Sequence, residues 1–569
     1  MTVRRPTPAQ LLAAIVAVAA ALRLYGVRWG LPFHFHSDEQ VMFHFTEKLR
    51  TARSIRELTH GDMRFFLYAP LLMHLLIGCV WVAGWFHRFA EDDPASLTLY
   101  LAMGRAIVAV FGTATVWLVY RLGARLYSRG AGILGAALLA VCTLHVRDSH
   151  FFVTDIPLTF FLAAELLSAA RLVEEPRPRR YVELGAVLGI AMATKQTALL
   201  GVPLVAVAHA VVVLRRPRSE WGWWVLGWPA LAGAVAALAF SAAYPYVWIA
   251  PGNFLAMSRK TASFVSASAR PPWVWQFDGT SFGYWFTNVL FFGMGPLLEL
   301  AALAGLVWAA KRRQLGDLLL VALLVPYTLV VGRGFMKFVR YALPVLPLLC
   351  LWTGRLGAEA LAAARTRATR SLVAGCIAAV IVTSLGYSIA YLHVYRKPDA
   401  RLAAARWIHS NIPLGASMLV DSSPSTPPLG HLFLHPSFFD SYIQGQTLHA
   451  SRDDYFSIKV LDLSADPAER AKTDDWWRAY LGERTQGVDY IAISDEYAEQ
   501  YRAALPDFPV VNQFLSDLIA GRTEFELVRE WKTRPALFGQ EIPDDHAELT
   551  FRLFDHPRVM VFRRRVGPA

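Results

Sequence analysis

A series of long apolar segments fills residues 9 to about 392 of this sequence. A transmembrane helix needs about 20 mainly apolar residues, and most of these segments approach that length. The sequence is 55% hydrophobic and only 18% charged, whereas soluble domains carry about 25% charged residues. We therefore predict a polytopic α-helical membrane protein, with candidate segments at approximately 9–29, 67–86, 99–121, 130–147, 156–173, 182–194, 196–214, 221–247, 285–310, 317–332, 338–357 and 371–392.

The basic residues lie in short connections between these segments and predict how the chain is threaded. Cytoplasmic loops are enriched in Lys and Arg, which places the N-terminus inside together with the connections 121–129, 177–180, 215–218, 311–313 and 355–370. Because these connections account for the net charge of +12, nucleic acid is not expected as a partner.

Segment 67–86 breaks the parity of this threading if it spans the membrane. Its acidic flank at 91–94 would also be the only cytoplasmic loop without basic residues. We therefore expect it to lie along or dip into the outer face, within a large first external loop at 30–98. The alternative is that it spans and a neighbouring segment does not. The first threading leaves about 11 spans, with the C-terminal region extracytoplasmic and the protein in the inner (plasma) membrane.

The region from residue 393 onward has the composition of a soluble domain. Charged and turn residues separate short β-rich runs at 417–420, 490–493 and 559–562 from helical stretches at 400–408 and 495–504. This alternation predicts a C-terminal mixed α/β domain. The domains are then a membrane domain at 1–392 and an extracytoplasmic α/β domain at 393–569.

Two polar clusters follow apolar segments at the predicted outer face. The first contains His34, His36, Asp38 and Glu39, directly after the first segment. Its simplest explanation is a polar loop in which Ser37 or Asp38 caps a helix. Asp38 and Glu39 could instead be catalytic carboxylates.

The second cluster runs from Arg147 through Asp148 and His150 to Asp155 and Pro157. An N-cap at Asp155 with Pro in the first turn accounts for Asp155. It does not explain why the other charged residues crowd the end of the preceding segment.

At these residues the sequence resembles the GT-C superfamily of polyprenyl-phosphate-dependent glycosyltransferases. The similarity is to glycosyltransferase family 39, which groups protein O-mannosyltransferases with aminoarabinose lipid A transferases. The matching motifs are the Asp38-Glu39 pair, SHFFVTDIPLTFF at 149–161, GIAMATKQTALL at 189–200, RYALPVLPLL at 340–349 and, in the tail, FDHPRVMVFRR at 554–564. The resemblance covers the membrane part to about residue 392.

The resemblance implies a helical bundle with juxtamembrane helices in the large first external loop. It also implies an inverting transfer of a sugar from a polyprenyl monophosphate to an acceptor hydroxyl. The expected partners are a polyprenyl-phosphate-linked sugar donor, membrane lipids, and an acceptor lipid, glycan or protein. On the family match, Asp38 is the expected base, Asp155 orients the acceptor or supports the base, and Glu39 is a further carboxylate or a structural partner for a cation.

A lipid phosphate that leaves needs charge stabilisation more than it needs an acid. Arg forks and Lys ammonium groups at the membrane surface suit phosphate oxygens. Each cation could also only snorkel to the interface or lie solvated in a loop. The predicted substrate-binding residues are Arg147, His150, Lys195, Lys260, Lys337, Arg340 and Tyr341.

The histidines raise the question of a metal. His34 and His36 with Asp38 could form a divalent metal site, although interface histidines more often hydrogen-bond to loops. We predict no certain cofactor and leave a divalent metal possible. Two other functional classes stay open: a secondary transporter, and a non-catalytic membrane anchor that presents the C-terminal domain.

Overall fold

The computed structural model describes residues 7–33, 35–89, 94–266, 271–423, 425–429, 456–463, 473–504 and 506–565. A helical bundle is followed by a smaller α/β domain, here called the tail, which packs on one end of the bundle. That end is called the tail-facing end below.

The helices of the bundle, including 3₁₀ and π turns, are Pro8–Leu24, Ser37–Thr51, Ile55–His60, Met63–Phe66, Leu71–Ala83, Pro94–Leu126, Arg129–Ala140, Thr143–Asp148, Asp155–Glu174, Pro178–Met192, Gln196–Gly201, Val202–Leu214, Arg218–Glu220, Trp224–Ala243, Tyr246–Ile249, Pro251–Val265, Pro272–Phe277, Trp285–Leu290, Phe291–Met294, Pro296–Arg312, Leu315–Tyr327, Thr328–Gly332, Val339–Val345, Leu346–Ala363, Arg367–Leu392 and Val394–Arg396.

The chain is a multi-pass membrane protein. Within the described residues, seven helices are long and apolar enough to cross a membrane, or eight if one bent pair counts as a span. Shorter apolar helices lie at Pro8–Leu24, Leu71–Ala83 and Arg129–Ala140. Helix Leu71–Ala83 has 13 residues, which is about 20 Å and too short for a hydrocarbon core of about 30 Å. This length favours the prediction that segment 67–86 does not span.

One predicted segment is not a single continuous helix. Segment 285–310 consists of two helices, Trp285–Met294 and Pro296–Arg312, whose axes are bent by 114°. Gly295 between them has φ +81°, a conformation that favours glycine, and Pro296 begins the second helix. Because Pro cannot continue the preceding helix, the chain turns at this pair.

Glycines let the helices of the bundle approach closely. A Cβ on Gly354 would lie 2.3 Å from the backbone nitrogen of Gly135, and one on Gly185 would lie 2.2 Å from the carbonyl oxygen of Ala232. Such contacts replace side-chain interdigitation with backbone packing, as is common between helices in membranes. The bundle is therefore held by close backbone contacts that a larger residue at these positions would push apart.

The tail is built on a five-stranded sheet. Its strands are β1 Ser417–Asp421, β2 Ser457–Leu461, β3 Tyr490–Ser494, β4 Phe525–Trp531 and β7 Val559–Arg564, and a separate hairpin is formed by β5 Ala536–Leu537 and β6 Gln540–Glu541. The order of the strands in the sheet is β2-β1-β3-β7-β4. Strand β1 pairs in parallel with β2 and β3, while β7 is antiparallel to both β3 and β4. The tail helices are Ala400–Asn411, Asp474–Thr485, Glu496–Ala503, Pro509–Ile519 and Thr550–Leu553.

Aromatic side chains of the bundle enter the tail core. The ring of Trp275 stacks on Phe508 at 4.7 Å between centroids and meets the edge of Tyr501 at 5.1 Å. Trp275 is buried, so the connection between two bundle helices is held inside the tail. The bundle and the tail therefore share a continuous apolar contact beside the functional site described next.

Candidate functional site

Asp38 lies in the first turn of helix Ser37–Thr51, where the helix leaves the end of the bundle. The expected cap at Ser37 or Asp38 is wrong, because the N-cap is His36, whose Nδ1 accepts from the Asp38 backbone nitrogen at 3.2 Å. Met42, Phe43 and Phe45 are buried on one side of this helix. The Asp38 carboxylate is therefore not used in capping and lines a cavity at the tail-facing end.

The Asp38 carboxylate is paired with a cation from a distant part of the chain. Arg340 Nη1 lies 2.6 Å from Asp38 Oδ2, and both side chains are 15% exposed. The Tyr68 hydroxyl donates a hydrogen bond to the same carboxylate. Burial opposes ionisation, but Arg340, the Tyr68 hydrogen bond and the other nearby positive charges together outweigh it, so the pKa of Asp38 lies below its usual range.

A second carboxylate–cation pair lies close to the first. Lys195 Nζ is 2.6 Å from Asp155 Oδ1. The N-cap expected at Asp155 is wrong, because Thr154 is the N-cap residue and no side-chain capping bond forms there. Asp155 is the first residue of its helix, and its carboxylate bonds Lys195 instead.

Tyr341 lies between the two pairs. Its ring centroid is 5.4 Å from Lys195 Nζ and 5.8 Å from the guanidinium carbon of Arg340. Residues that are distant in sequence, Asp38, Asp155, Lys195 and Arg340, therefore converge around one aromatic ring. The convergence that the sequence motifs predicted is present in the structure.

Two cavities meet at Tyr341. One has a volume of about 480 Å³ and lies between the bundle and the tail, with Asp38, Tyr68 and Arg340 in its wall. The other is an apolar groove of about 280 Å³ between bundle helices, lined by residues such as Phe282, Trp285 and Leu324. Tyr341 lines both of them. An apolar chain and a polar head group could therefore be bound side by side.

Glu39 has contacts unlike those of its neighbour. Its two carboxylate oxygens accept from Arg105 Nε and Nη2, each at 2.8 Å, and Oε1 also accepts from the Phe152 backbone nitrogen at 2.9 Å. Glu39 is fully buried and is not part of the cavity wall. Of the two roles predicted for Glu39, that of a structural partner for a cation describes these contacts.

Neither Arg147 nor His150 lines the cavity. Arg147 donates to the Thr550 carbonyl oxygen at 2.5 Å and to Asp555 Oδ2 at 3.3 Å. His150 is held between the carbonyl oxygens of Tyr25 at 2.8 Å and Val146 at 2.9 Å. Both residues are buried. Arg147 therefore holds the tail on the bundle, whereas His150 makes its hydrogen bonds within the bundle.

The same tail segment continues this network. Tyr391 donates to Asp555 Oδ2 at 2.9 Å, and the His556 ring lies 3.0 Å from Asp555 Oδ1 and 2.7 Å from Asp544 Oδ2. Burial raises the pKa of Asp555, but Arg147, His556 and the Tyr391 hydroxyl together outweigh it and lower the pKa to about 2. The two carboxylates likewise outweigh burial and raise the pKa of His556 to about 9. We call residues 544–556 the docking segment.

The remaining predicted site residues lie apart from the two ion pairs. Lys337 is buried and donates to the Phe335 carbonyl oxygen at 3.3 Å, and Lys260 is exposed on helix Pro251–Val265. Neither belongs to the cavity wall. Their predicted binding roles stay predictions.

The metal question centres on His34 and His36. His34 lies outside the described residues. The His36 ring stacks on Phe554 with centroids 3.8 Å apart while it caps the helix, and burial lowers its pKa to about 3. No group of three or more His, Cys, Asp or Glu side chains arranged for a metal occurs within the described residues.

Sequence reasoning missed the part of the cavity wall that the tail contributes, which includes Ser422, Glu496, Gln500 and Thr550. Tyr68 of the first external loop, whose aromatic character is consistent with either an interfacial belt or a substrate-facing wall, also lines the cavity. The tail residues carry no local signal, because they reach the cavity only through the packing of the tail on the bundle.

Comparison with known proteins agrees with this architecture. Residues 100–248 match the family model for dolichyl-phosphate-mannose-protein mannosyltransferases. No curated protein matches the sequence.

Solved structures match nearly the whole chain. The apo oligosaccharyltransferase of Archaeoglobus fulgidus is 11% identical with a TM-score of 0.54, over 98% of this chain and 88% of that one. The same archaeal enzyme, AglB, with an inhibitory peptide and a dolichol-phosphate, is 11% identical with a TM-score of 0.50, over 95% and 74%.

Apo ArnT from Cupriavidus metallidurans is 14% identical with a TM-score of 0.49, over 96% of this chain and 97% of that one. At these identities the archaeal matches establish the fold. This chain therefore has the fold of the archaeal oligosaccharyltransferase, and its residues 100–248 are similar to dolichyl-phosphate-mannose-protein mannosyltransferases.

Proposed function

We propose that this protein transfers a sugar from a polyprenyl monophosphate to an acceptor hydroxyl, with inversion at the anomeric carbon. The observation that carries the proposal is the position of the Asp38–Arg340 pair, at the point where the polar cavity and the apolar groove share Tyr341. A lipid phosphate needs both environments at once, because its chain is apolar and its head group is anionic.

The donor phosphate is placed at Arg340 and Lys195. Lys195 Nζ and the guanidinium carbon of Arg340 lie 5.4 and 5.8 Å from the Tyr341 ring centroid, and the guanidinium fork and the ammonium group can bind different phosphate oxygens. The polyprenyl chain occupies the groove beside Phe282 and Trp285. This arrangement stabilises the negative charge that develops on the phosphate as the glycosidic bond breaks.

The transfer itself is a displacement at the anomeric carbon. The acceptor oxygen forms a bond to this carbon while the bond to the phosphate oxygen breaks, and the electron pair leaves with the polyprenyl phosphate. The hydroxyl proton passes to the Asp38 carboxylate as general base. Asp155 holds the Lys195 ammonium group in place beside the phosphate.

The pairing of Asp38 with Arg340 also links donor binding to the strength of the base. While Arg340 faces Asp38, it keeps the carboxylate ionised and weakly basic. A phosphate that draws the guanidinium toward itself removes this stabilisation and raises the pKa of Asp38. Asp38 therefore becomes the stronger base once the donor is bound.

Three further observations support the donor class and the location. The matching family model is named for a dolichyl-phosphate-mannose-dependent transferase, and the A. fulgidus oligosaccharyltransferase was solved with a dolichol-phosphate. The basic connections favour a site and tail on the extracytoplasmic side of the inner (plasma) membrane. We assign residues 1–392 to the membrane catalytic domain and 393–569 to the extracytoplasmic domain.

Binding of the carrier lipid to the purified full-length protein tests this proposal. The affinity of a fluorescent short-chain polyprenyl monophosphate should fall by roughly tenfold or more in Arg340→Gln, because a charge-assisted phosphate contact is lost. Arg333→Gln is the matched control, since Arg333 is exposed and is not part of the cavity wall. Equal affinities of wild type and Arg340→Gln would remove Arg340 from the donor site.

A further inference from the structure

The tail sheet has a crevice at the carboxyl ends of two parallel strands. Strand β1 lies between β2 and β3, so the strands that follow β1 in the chain pair on its opposite sides. In α/β sheets, ligands bind at such a switch point, outside the carboxyl ends of the strands. Here those ends carry Ser422 and Ser423 after β1, and Ser494 and Glu496 at the end of β3.

The crevice opens into the cavity that contains Asp38. Ser422, Glu496, Tyr497 and Gln500 of the tail line the same volume of about 480 Å³ as Asp38 and Arg340. The tail therefore forms one wall of the proposed catalytic cavity, opposite the bundle residues that would hold the donor.

Glu496 has an incomplete set of hydrogen bonds in this wall. It is 6% exposed, and its Oε1 accepts from Gln500 Nε2 at 3.2 Å. Its Oε2 is buried with no hydrogen-bond partner among the described residues. Burying a carboxylate is costly, and the Ser423 and Ser425 hydroxyls beside Glu496 offset only part of that cost, so the pKa of Glu496 lies above its usual range. A hydrogen-bond donor that enters the cavity would offset more of it.

We propose that Glu496, with Gln500 and Ser422, binds ring hydroxyls of a carbohydrate acceptor. The inference rests on the proposed transferase function and names the acceptor class for the same cavity. A carboxylate oxygen accepts from a hydroxyl, and the neighbouring serine and glutamine side chains can both donate and accept. Adjacent hydroxyls of a sugar ring match this closely spaced set of polar atoms.

The character of the wall favours a neutral carbohydrate over a phosphorylated acceptor group. Among the described cavity residues contributed by the tail, the polar side chains are neutral or acidic and none is basic. The cation that lines the cavity, Arg340, is paired with Asp38. Trp273 and Tyr497 add aromatic surface to the wall, and a sugar ring has apolar C–H faces that can pack on such rings.

The consequence for the reaction is orientation. An acceptor sugar held at the tail wall leaves its other hydroxyls toward the bundle side of the cavity, where Asp38 lies. Glu496 is then a positioning residue, and Asp38 takes the proton.

Saturation-transfer-difference NMR on the full-length protein in detergent tests this inference. The probes are a panel of methyl glycosides and, as a second acceptor class, N-acetylserine methylamide. We expect a glycoside signal with wild type that falls by roughly tenfold in Glu496→Gln and in Ser422→Ala, because each loses a hydrogen bond to the sugar. Glu483→Gln, an exposed residue of helix Asp474–Thr485, is the matched control and should keep the signal.

Thermal unfolding separates this role from a structural one. Since Glu496→Gln removes a buried, incompletely bonded carboxylate, its unfolding temperature should equal or exceed that of wild type, whereas loss of a structural residue would lower it. A glycoside signal unchanged in Glu496→Gln, or a signal from the serine probe alone, would overturn the inference. Binding of the polyprenyl phosphate is measured separately. If the glycoside binds and the polyprenyl phosphate does not, the donor proposal is refuted and the sugar site is retained.

Discussion

Asp38 and Glu39 are neighbours in sequence, yet Asp38 forms an ion pair in a cavity wall and Glu39 forms one in the buried core. The Asp38–Arg340 pair lies in a cavity wall with both side chains 15% exposed. The Glu39–Arg105 pair has side-chain exposures of 0% and 4% and is completed by a backbone donor. Adjacent residues on a helix point about 100° apart, so one carboxylate faces the cavity and the other the core. The presence of a carboxylate therefore does not by itself indicate a catalytic role. Only a carboxylate that faces a cavity can reach a substrate.

The largest expected effect comes from Asp38→Asn. An amide cannot take the proton of the attacking hydroxyl, so transfer should fall by about 10²–10⁴-fold. Mass spectrometry of lipid extracts from cells that carry only this variant should show an accumulated polyprenyl-phosphate sugar that wild-type protein removes.

The unfolding temperature of Asp38→Asn should fall less than that of Glu39→Gln, because the partner Arg340 borders the cavity whereas the partner Arg105 is buried in the core. Full activity in this variant would favour the anchor role over catalysis and would also remove the contrast with Glu39.

Glu39→Gln should show the opposite result. Removing one partner of a buried ion pair leaves Arg105 uncompensated, at a cost of about 3–5 kcal/mol in the free energy of unfolding. Thermal unfolding in detergent measures this loss. The rate per folded molecule should stay near that of wild type, and a folded but inactive Glu39→Gln protein would place Glu39 in the chemistry.

The docking segment contains buried ion pairs whose contribution to stability depends on pH, and the expected effect is smaller than that of Glu39→Gln. His556 has its pKa raised from 6.5 to about 9, so its contribution to stability is complete below about pH 6.5 and is lost as the pH rises through 9. Asp555 has its pKa lowered from 3.8 to about 2, so its contribution is complete above about pH 4 and is lost as the pH falls through 2.

The unfolding temperature should therefore be highest between about pH 4 and 6.5 and decline toward pH 9. His556→Gln should flatten the alkaline decline. A decline of equal size in this variant would show that other groups control the pH dependence.

Some features were predictable because they depend on local sequence. The apolar segments correspond to helices, and the runs at 417–420, 490–493 and 559–562 correspond to β1, β3 and β7. Motif order also identified Asp38, Asp155, Lys195 and Arg340, which the structure brings together. These residues lie at the ends of bundle helices, so one fold places all of them at one end.

Other features depend on contacts between distant residues and were not predictable. Arg147 and His150 resemble site residues in the sequence, but the partners that explain Arg147 are Thr550 and Asp555, about 400 positions later. The tail wall of the cavity likewise arises from packing. A charged cluster at a helix end has the same sequence signature whether it binds a substrate or a neighbouring domain.

The most direct test of the account is a cryo-electron microscopy structure of the wild-type protein with a polyprenyl monophosphate bound. We predict the phosphate within hydrogen-bonding distance of Arg340 and Lys195, the lipid chain in the groove beside Trp285, and Asp38 released from Arg340. Phosphate density away from both cations, with the Asp38–Arg340 pair intact, would contradict it.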